Sequence, residues 1–144
     1  MNVVIIDGQG GRMGSLLTAR IKKENFPNLS LLAIGTNSAA TAAMLKAGAD
    51  NGATGENPVI VACRNADFII GPLGILAADS LFGEITPAMA VAVGQSAAQK
   101  ILLPVNKCKN HVVGLAELSM TELAEQAVNY LKESASRPKN TTIC

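Results

Sequence analysis

The chain has no tryptophan, one tyrosine, one histidine and three cysteines in 144 residues. Aromatic residues make up only 3% of it, which leaves no platform on which nucleic-acid bases could stack. Charge of one sign is also missing: twelve basic against eleven acidic residues gives a net charge of +1. That balance offers no electrostatic case for a nucleic-acid or anionic-membrane partner. No apolar run approaches the ~20 residues that a membrane span needs. Cys63, Cys108 and Cys144 are an odd, widely spaced set without a CxxC pair, and the N-terminus starts in a strand-like run with no basic region or cleavage site. A secreted disulfide scaffold is therefore not expected, and a soluble cytoplasmic protein is. Cys108 and His111 are two potential metal ligands, which is too few for a zinc site, so no metal is expected. Small molecules and protein partners remain.

With 49% hydrophobic and 16% charged residues, the chain has the composition of a globular protein. Its length fits one domain, expected over residues 1–134, with a polar, flexible tail over 135–144. Short apolar runs alternate with helical stretches. Val3–Ile6 reads as a strand and Gly11 to about Lys23 as a helix, with Met13, Leu16, Leu17 and Ile21 on one face. Leu29–Ile34 is a second strand, and Ser38 can cap a helix through about Ala47. "AGADNGATGEN" supplies turns with at most a very short strand.

The stretch "NPVIVACRNADFIIG" contains two strand-like pieces, Val59–Cys63 and Phe68–Ile70, too close together to be parallel neighbours. They form either an antiparallel hairpin, or a short helix capped by Asn57 with Pro58 in its first turn, followed by a strand. The helix is favoured. An apolar helix is expected from about Ile75 to Phe82, and another through about Ala98 with Thr86 as cap and Pro87 in its first turn. Ile101–Val105 and His111–Leu115 read as strands. Ser119 and Glu122 fit a capping box that opens a final helix to about Glu133.

Strands alternating with helices imply a parallel sheet covered on both faces. "VVII" and "ILLPV" are apolar without alternation, as doubly covered strands are. The expected fold is α/β: a Rossmann-like, doubly wound domain with a mainly parallel sheet of about five to six strands.

In such a sheet ligands bind beyond the carboxyl ends of the strands. Four loops would gather there: Asp7, Gly8, Gln9, Gly10 and Gly11; Gly35, Thr36, Asn37 and Ser38; Gly71, Pro72 and Gly74; and Asn106 with Lys107. Strand-to-helix turns also need Gly, Pro and Asn for purely local reasons. In the first loop Gly8, Gly10, Gly11 and Gly14 read G-x-G-G-x-x-G, one residue off the dinucleotide fingerprint, and no lysine follows to make a P-loop. A helix starting near Gly11 would offer free amides and a partial positive end to a diphosphate.

"GQGGRMG" resembles the phosphate-binding loop of dihydrodipicolinate reductases, a likeness over seven of 144 residues. It implies a nicotinamide dinucleotide lying along Gly8, Gly10, Gly11 and Gly14 with Arg12 and Met13 beside it, Arg12 being available to a ribose 2′-phosphate. That family's substrate domain and histidine-rich catalytic segment have no counterpart in this chain, so its reaction does not transfer. A wider resemblance runs through "DGQGG", "GTNSAATAAMLKAGADNGATGEN", "GPLGI", "GEITPAMA" and "PVNKC". These segments are similar to a family of short bacterial proteins known as domain of unknown function 3842. That resemblance implies a stand-alone domain and no particular chemistry.

Asp7 is the anomaly of the loop. A carboxylate about 4 Å from a phosphate oxygen costs roughly 4 kcal/mol at an effective dielectric near 20, whereas a helix end returns only ~0.3–1 kcal/mol to an anion. Asp7 is therefore expected to turn onto the loop's own amides and fix its shape. After the second strand Thr36, Asn37 and Ser38 stand where an acid would select NAD, and their donors suit a 2′-phosphate, so NADP is favoured over NAD. Ser38 as a simple helix cap is the plain alternative. Asp79 and Glu84 could act as acid and base, or could be solvated or capping groups. The alanine-rich stretches "SAATAAM" and "PAMAVAVG" suit either core packing or a homodimer face.

The leading expectation is a nucleotide- or dinucleotide-binding protein. A non-catalytic interaction or oligomeric module without ligand, and a small enzyme acting on a phosphorylated metabolite, are the alternatives. No nucleophile–base pair emerges, so enzyme status stays open.

Overall fold

The computed structural model describes residues 1–105 and 110–136. Five strands, β1 (Asn2–Asp7), β2 (Ser30–Gly35), β3 (Asn51–Thr54), β4 (Phe68–Pro72) and β5 (Gln99–Leu103), form one sheet in the order β3-β2-β1-β4-β5. Every pairing is parallel. The helices are α1 (Arg12–Lys23), α2 (Ser38–Lys46), α3 (Glu56–Ala62), α4 (Ser80–Gly83), α5 (Pro87–Gln95) and α6 (Met120–Ala135), with a 3₁₀ turn over Leu73–Leu76. The chain runs outward from β1 to β3 and then returns to place β4 on the other side of β1. The reversal of strand order therefore falls between β1 and β4, where an α/β sheet opens a crevice at its carboxyl edge.

The non-alternating runs have a direct physical reason. In β1, Val3 and Ile5 enter a core with Leu17 and Ile21 of α1, Met44 of α2 and Leu131 of α6. Val4 and Ile6 face the opposite way into a second core with Val59 of α3 and Met89 and Val93 of α5. Both faces of the strand are covered, so neither side-chain set can be polar. The helix favoured over residues 58–65 is present as α3, although it starts at Glu56 with Gly55 as its cap at φ 96°, so Asn57 is not the cap. Thr86 caps α5 by accepting from the Met89 amide, and Ser119 and Glu122 form the capping box of α6.

Three further expectations are corrected. The apolar stretch Ile75–Phe82 is not one helix: after the 3₁₀ turn the chain turns sharply, and Leu81 and Phe82 lie in the left-handed region at φ 54° and 59°. Ser80 donates its hydroxyl to the Gly74 carbonyl at 2.6 Å, and Ile75 and Leu81 both reach the core without a helix between them. His111–Leu115 is not a strand; Gly114 turns the chain at φ 84° and Val113 is 86% exposed, so this run does not pair with the sheet. Ser38 does not cap α2, because Asn37, in extended conformation, accepts the Ala40 amide at 2.9 Å.

Close packing at the carboxyl edge depends on Gly11. It sits at φ 66°, and a Cβ there would lie 2.7 Å from the Ala40 Cα and 2.8 Å from its carbonyl oxygen. Gly11→Ala is expected to lower stability by about 2–3 kcal/mol in urea unfolding. Gly10→Ala, one residue earlier with nothing within 4 Å, is expected to stay within about 0.5 kcal/mol of wild type.

Candidate functional site

The site begins with the acid that ends β1. Asp7 is 7% exposed; one carboxylate oxygen accepts the Gly8 amide at 2.8 Å and the other accepts the Gly14 amide at 2.7 Å. Burial pushes its pKa above the ordinary aspartate value, the Gly14 and Gly8 amides partly offset this, and the negative charge of Glu84 adds to the rise. α1 has no acid in its own first turn. Asp7 supplies one from the strand and takes up amides that a helix N-terminus otherwise offers to an anion. The loop is closed underneath by the Gly11 amide donating to the Gly8 carbonyl at 2.9 Å.

The second element is Glu84, far away in sequence. Its carboxylate accepts from the Gln9 amide at 2.7 Å, the Thr36 hydroxyl at 2.7 Å and the Asn37 side-chain amide at 3.1 Å. Asn37 also donates to the Gln9 carbonyl at 2.9 Å, joining the loops after β1 and β2 directly. Partial burial pushes the Glu84 pKa up, but the bonds from Thr36, Gln9 and Asn37 outweigh it and the net shift is downward. Gly8 makes the room: a Cβ there would lie 2.2 Å from a Glu84 carboxylate oxygen and 2.8 Å from the Thr36 hydroxyl. Two carboxylates of opposite pKa displacement thus share one carboxyl edge.

Glu84 reaches the loops from a strained segment. Asp79, Leu81 and Phe82 all have positive φ, between 54° and 61°, and each such residue costs roughly 1–2 kcal/mol. The segment is tied at its base by the Asp79 amide donating to the Ile85 carbonyl at 2.7 Å. Leu81 is buried beneath it, whereas Phe82 at its tip is 99% exposed.

The remaining candidates divide by burial. Gln9, Gly10, Arg12 and Ser38 are exposed at the carboxyl edge. Met13 is a core residue, and Gly14 is needed for packing, since a Cβ would lie 2.3 Å from the Met44 sulfur. A Cβ on Gly35 would meet the Thr41 hydroxyl at 2.4 Å, and one on Gly71 would lie 2.6 Å from the Ile6 carbonyl oxygen. Gly71, Pro72 and Gly74 are buried at and just after the end of β4. Asn106 and Lys107 lie outside the described residues, as does Cys108 of the pair weighed with His111. Asp79 is exposed and is not brought onto the loops. Among the described residues no group of three or more metal-ligating side chains converges. A surface hollow of about 430 Å³ lies elsewhere, between β5, α6 and residues 114–118. No helix among the described residues is long and apolar enough to cross a membrane.

Sequence reasoning missed the place of Glu84. Its bond to Gln9 spans 75 residues, and no local pattern encodes it.

The opposite pKa displacements predict opposite pH slopes. Glu84, lowered on folding, contributes stability that is present above the ordinary glutamate pKa of about 4.3 and is lost as the pH falls below it. Asp7, raised on folding, contributes most in acid and progressively less as the pH climbs above about 4. In urea unfolding across pH, the stability gap between wild type and Glu84→Gln should shrink toward acid. The gap between wild type and Asp7→Asn should shrink toward neutrality.

A search of curated proteins found no match. Among solved structures, the chain is similar to a dodecameric FMN-dependent UbiX-like decarboxylase from Escherichia coli O157:H7, at 12% identity and a TM-score of 0.41. The alignment covers 99% of this chain and 100% of that one. The likeness is too distant to carry an inference about ligand or assembly. At the level of family the match is direct: the model of the domain of unknown function DUF3842 matches residues 2–136, and the chain belongs to that family.

Proposed function

We propose that the protein binds a phosphorylated nucleotide across the loops after β1 and β2, with an oxyanion of the ligand held by Gln9, Thr36 and Asn37. One observation carries the reading. Three donors from two loops, a backbone amide, a hydroxyl and a side-chain amide, converge within 2.7–3.1 Å on a single carboxylate. An oxygen with negative charge is what such a trio recognises, and hydrogen bonds to charged groups are the stronger kind. The exposed Arg12 in the first turn of α1 would add positive charge beside it.

The position of the trio favours NADP over NAD. In doubly wound sheets the ribose of the adenosine half lies beyond β2, and a 2′-phosphate there needs donors. Thr36 and Asn37 supply two. The diphosphate itself cannot use the α1 terminus in the usual way, because Asp7 already holds the Gly14 amide. It would lie farther out, over Gly10 and Arg12. A second reading follows from the same carboxylate: if Glu84 stays in place it would accept ribose hydroxyls, and an unphosphorylated ribose would then be preferred.

Calorimetric titration with NADP and NAD separates the two. The proposal expects NADP to bind more tightly, and Thr36→Val to weaken it about 10–100-fold, the loss for one hydrogen bond to a charged group. Preference for NAD would favour the second reading, and no heat or thermal shift from any nucleotide at millimolar concentration would remove both.

A further inference from the structure

We propose that the segment Asp79–Ile85 is a lid that keeps this site self-occupied: the Glu84 carboxylate holds the three donors when no ligand is present and leaves them when a ligand oxyanion arrives. The inference rests on the oxyanion reading above and adds its regulation.

The contacts of Glu84 are those of a stand-in ligand. Gln9, Thr36 and Asn37 all direct their donors at its carboxylate, and none of them belongs to the segment that carries it. The space it fills exists because Gly8 has no side chain. Gly8 is not in the left-handed region, so its backbone alone does not demand glycine. Leu81 fills the rest, lying 3.2 Å from where a Gly8 Cβ would be.

The segment is built to move at its tip and not at its base. Its base is pinned by the Asp79–Ile85 backbone bond, by Ser80 on the Gly74 carbonyl and by the burial of Leu81 and Ile85. The tip is held more loosely, by longer backbone bonds from the Gly83 amide to the Asp79 carbonyl at 3.2 Å and from the Glu84 amide to the Leu81 carbonyl at 3.3 Å. Phe82 is 99% exposed, so packing does not hold its ring where it is. Gly83, at φ 85° with nothing within 4 Å of a would-be Cβ, is a sterically open pivot directly before Glu84. Phe82 sits in the left-handed region at φ 59°, so release of the Glu84 carboxylate would let the backbone of the tip relax. The lid is held shut by a side chain that competes with ligand for the same donors, and any oxyanion must bind against that competitor.

The test uses two substitutions in the full chain. Phe82→Trp introduces the sole tryptophan at an exposed position, and its fluorescence anisotropy reads the mobility of the tip. Glu84→Gln removes the competing charge. The probes are inorganic pyrophosphate and NADP. The expected result is at least tenfold tighter binding of both probes with Glu84→Gln. In the Phe82→Trp protein alone, anisotropy should drop as pyrophosphate saturates it, a readout that does not depend on the substitution at 84 being tolerated. Equal affinity with and without Glu84→Gln, together with unchanged anisotropy at saturation, overturns the lid and leaves the nucleotide reading standing. Absence of binding to either protein overturns the oxyanion reading, and the lid falls with it.

Discussion

The carboxylate of Asp7, bonded inward to the Gly8 and Gly14 amides, is the interaction on which the carboxyl edge of this fold depends. A glycine-rich turn between a strand and a helix ordinarily leaves its amides free for a phosphate. Here the strand itself delivers an anion to the helix terminus, and the loop closes around it. The buried charge is costly, which is why burial raises the Asp7 pKa, but two short amide bonds compensate in part. One consequence is mechanical: the loop is braced by the protein's own carboxylate. A second is chemical: the Gln9 amide lies outside this arrangement and bonds instead to the Glu84 carboxylate.

That amide explains the place of Glu84. Once Asp7 is inside, the Gln9 amide faces outward, and Thr36 and Asn37 meet it from the end of β2. A single carboxylate satisfies all three. The two acids differ in kind. Asp7 is sealed in and destabilised as an ion, whereas Glu84 is near the surface and stabilised as one. The glycines divide along the same line. Gly11 and Gly14 serve close packing against α2, Gly8 makes room for the Glu84 carboxylate, and Gly10 is open.

Much of the frame was legible in the sequence because its causes are local. The unbroken apolar runs marked doubly covered strands, Thr86 and Ser119 marked helix starts through their own side chains, and Pro58 with its neighbours marked a helix too close to β4 to be a paired strand. The failures share a cause as well. Ile75–Phe82 has a helix-like apolar density, yet the bond from the Ser80 hydroxyl back to the Gly74 carbonyl and the reach of Leu81 into the core override it. Val113 and its neighbours are strand-formers by type, but the chain turns at Gly114 and leaves Val113 in solvent.

By itself, then, the sequence determined the alternation of strand and helix, the doubly wound class and the edge at which the glycine loops gather, since periodicity and capping act over a few residues. Only the tertiary structure decided which donors converge at that edge and which carboxylate fills the space between them. That decision joins Gln9, Thr36 and Glu84, residues from three separate connections, and their meeting is set by the parallel direction and order of the strands and not by any spacing along the chain.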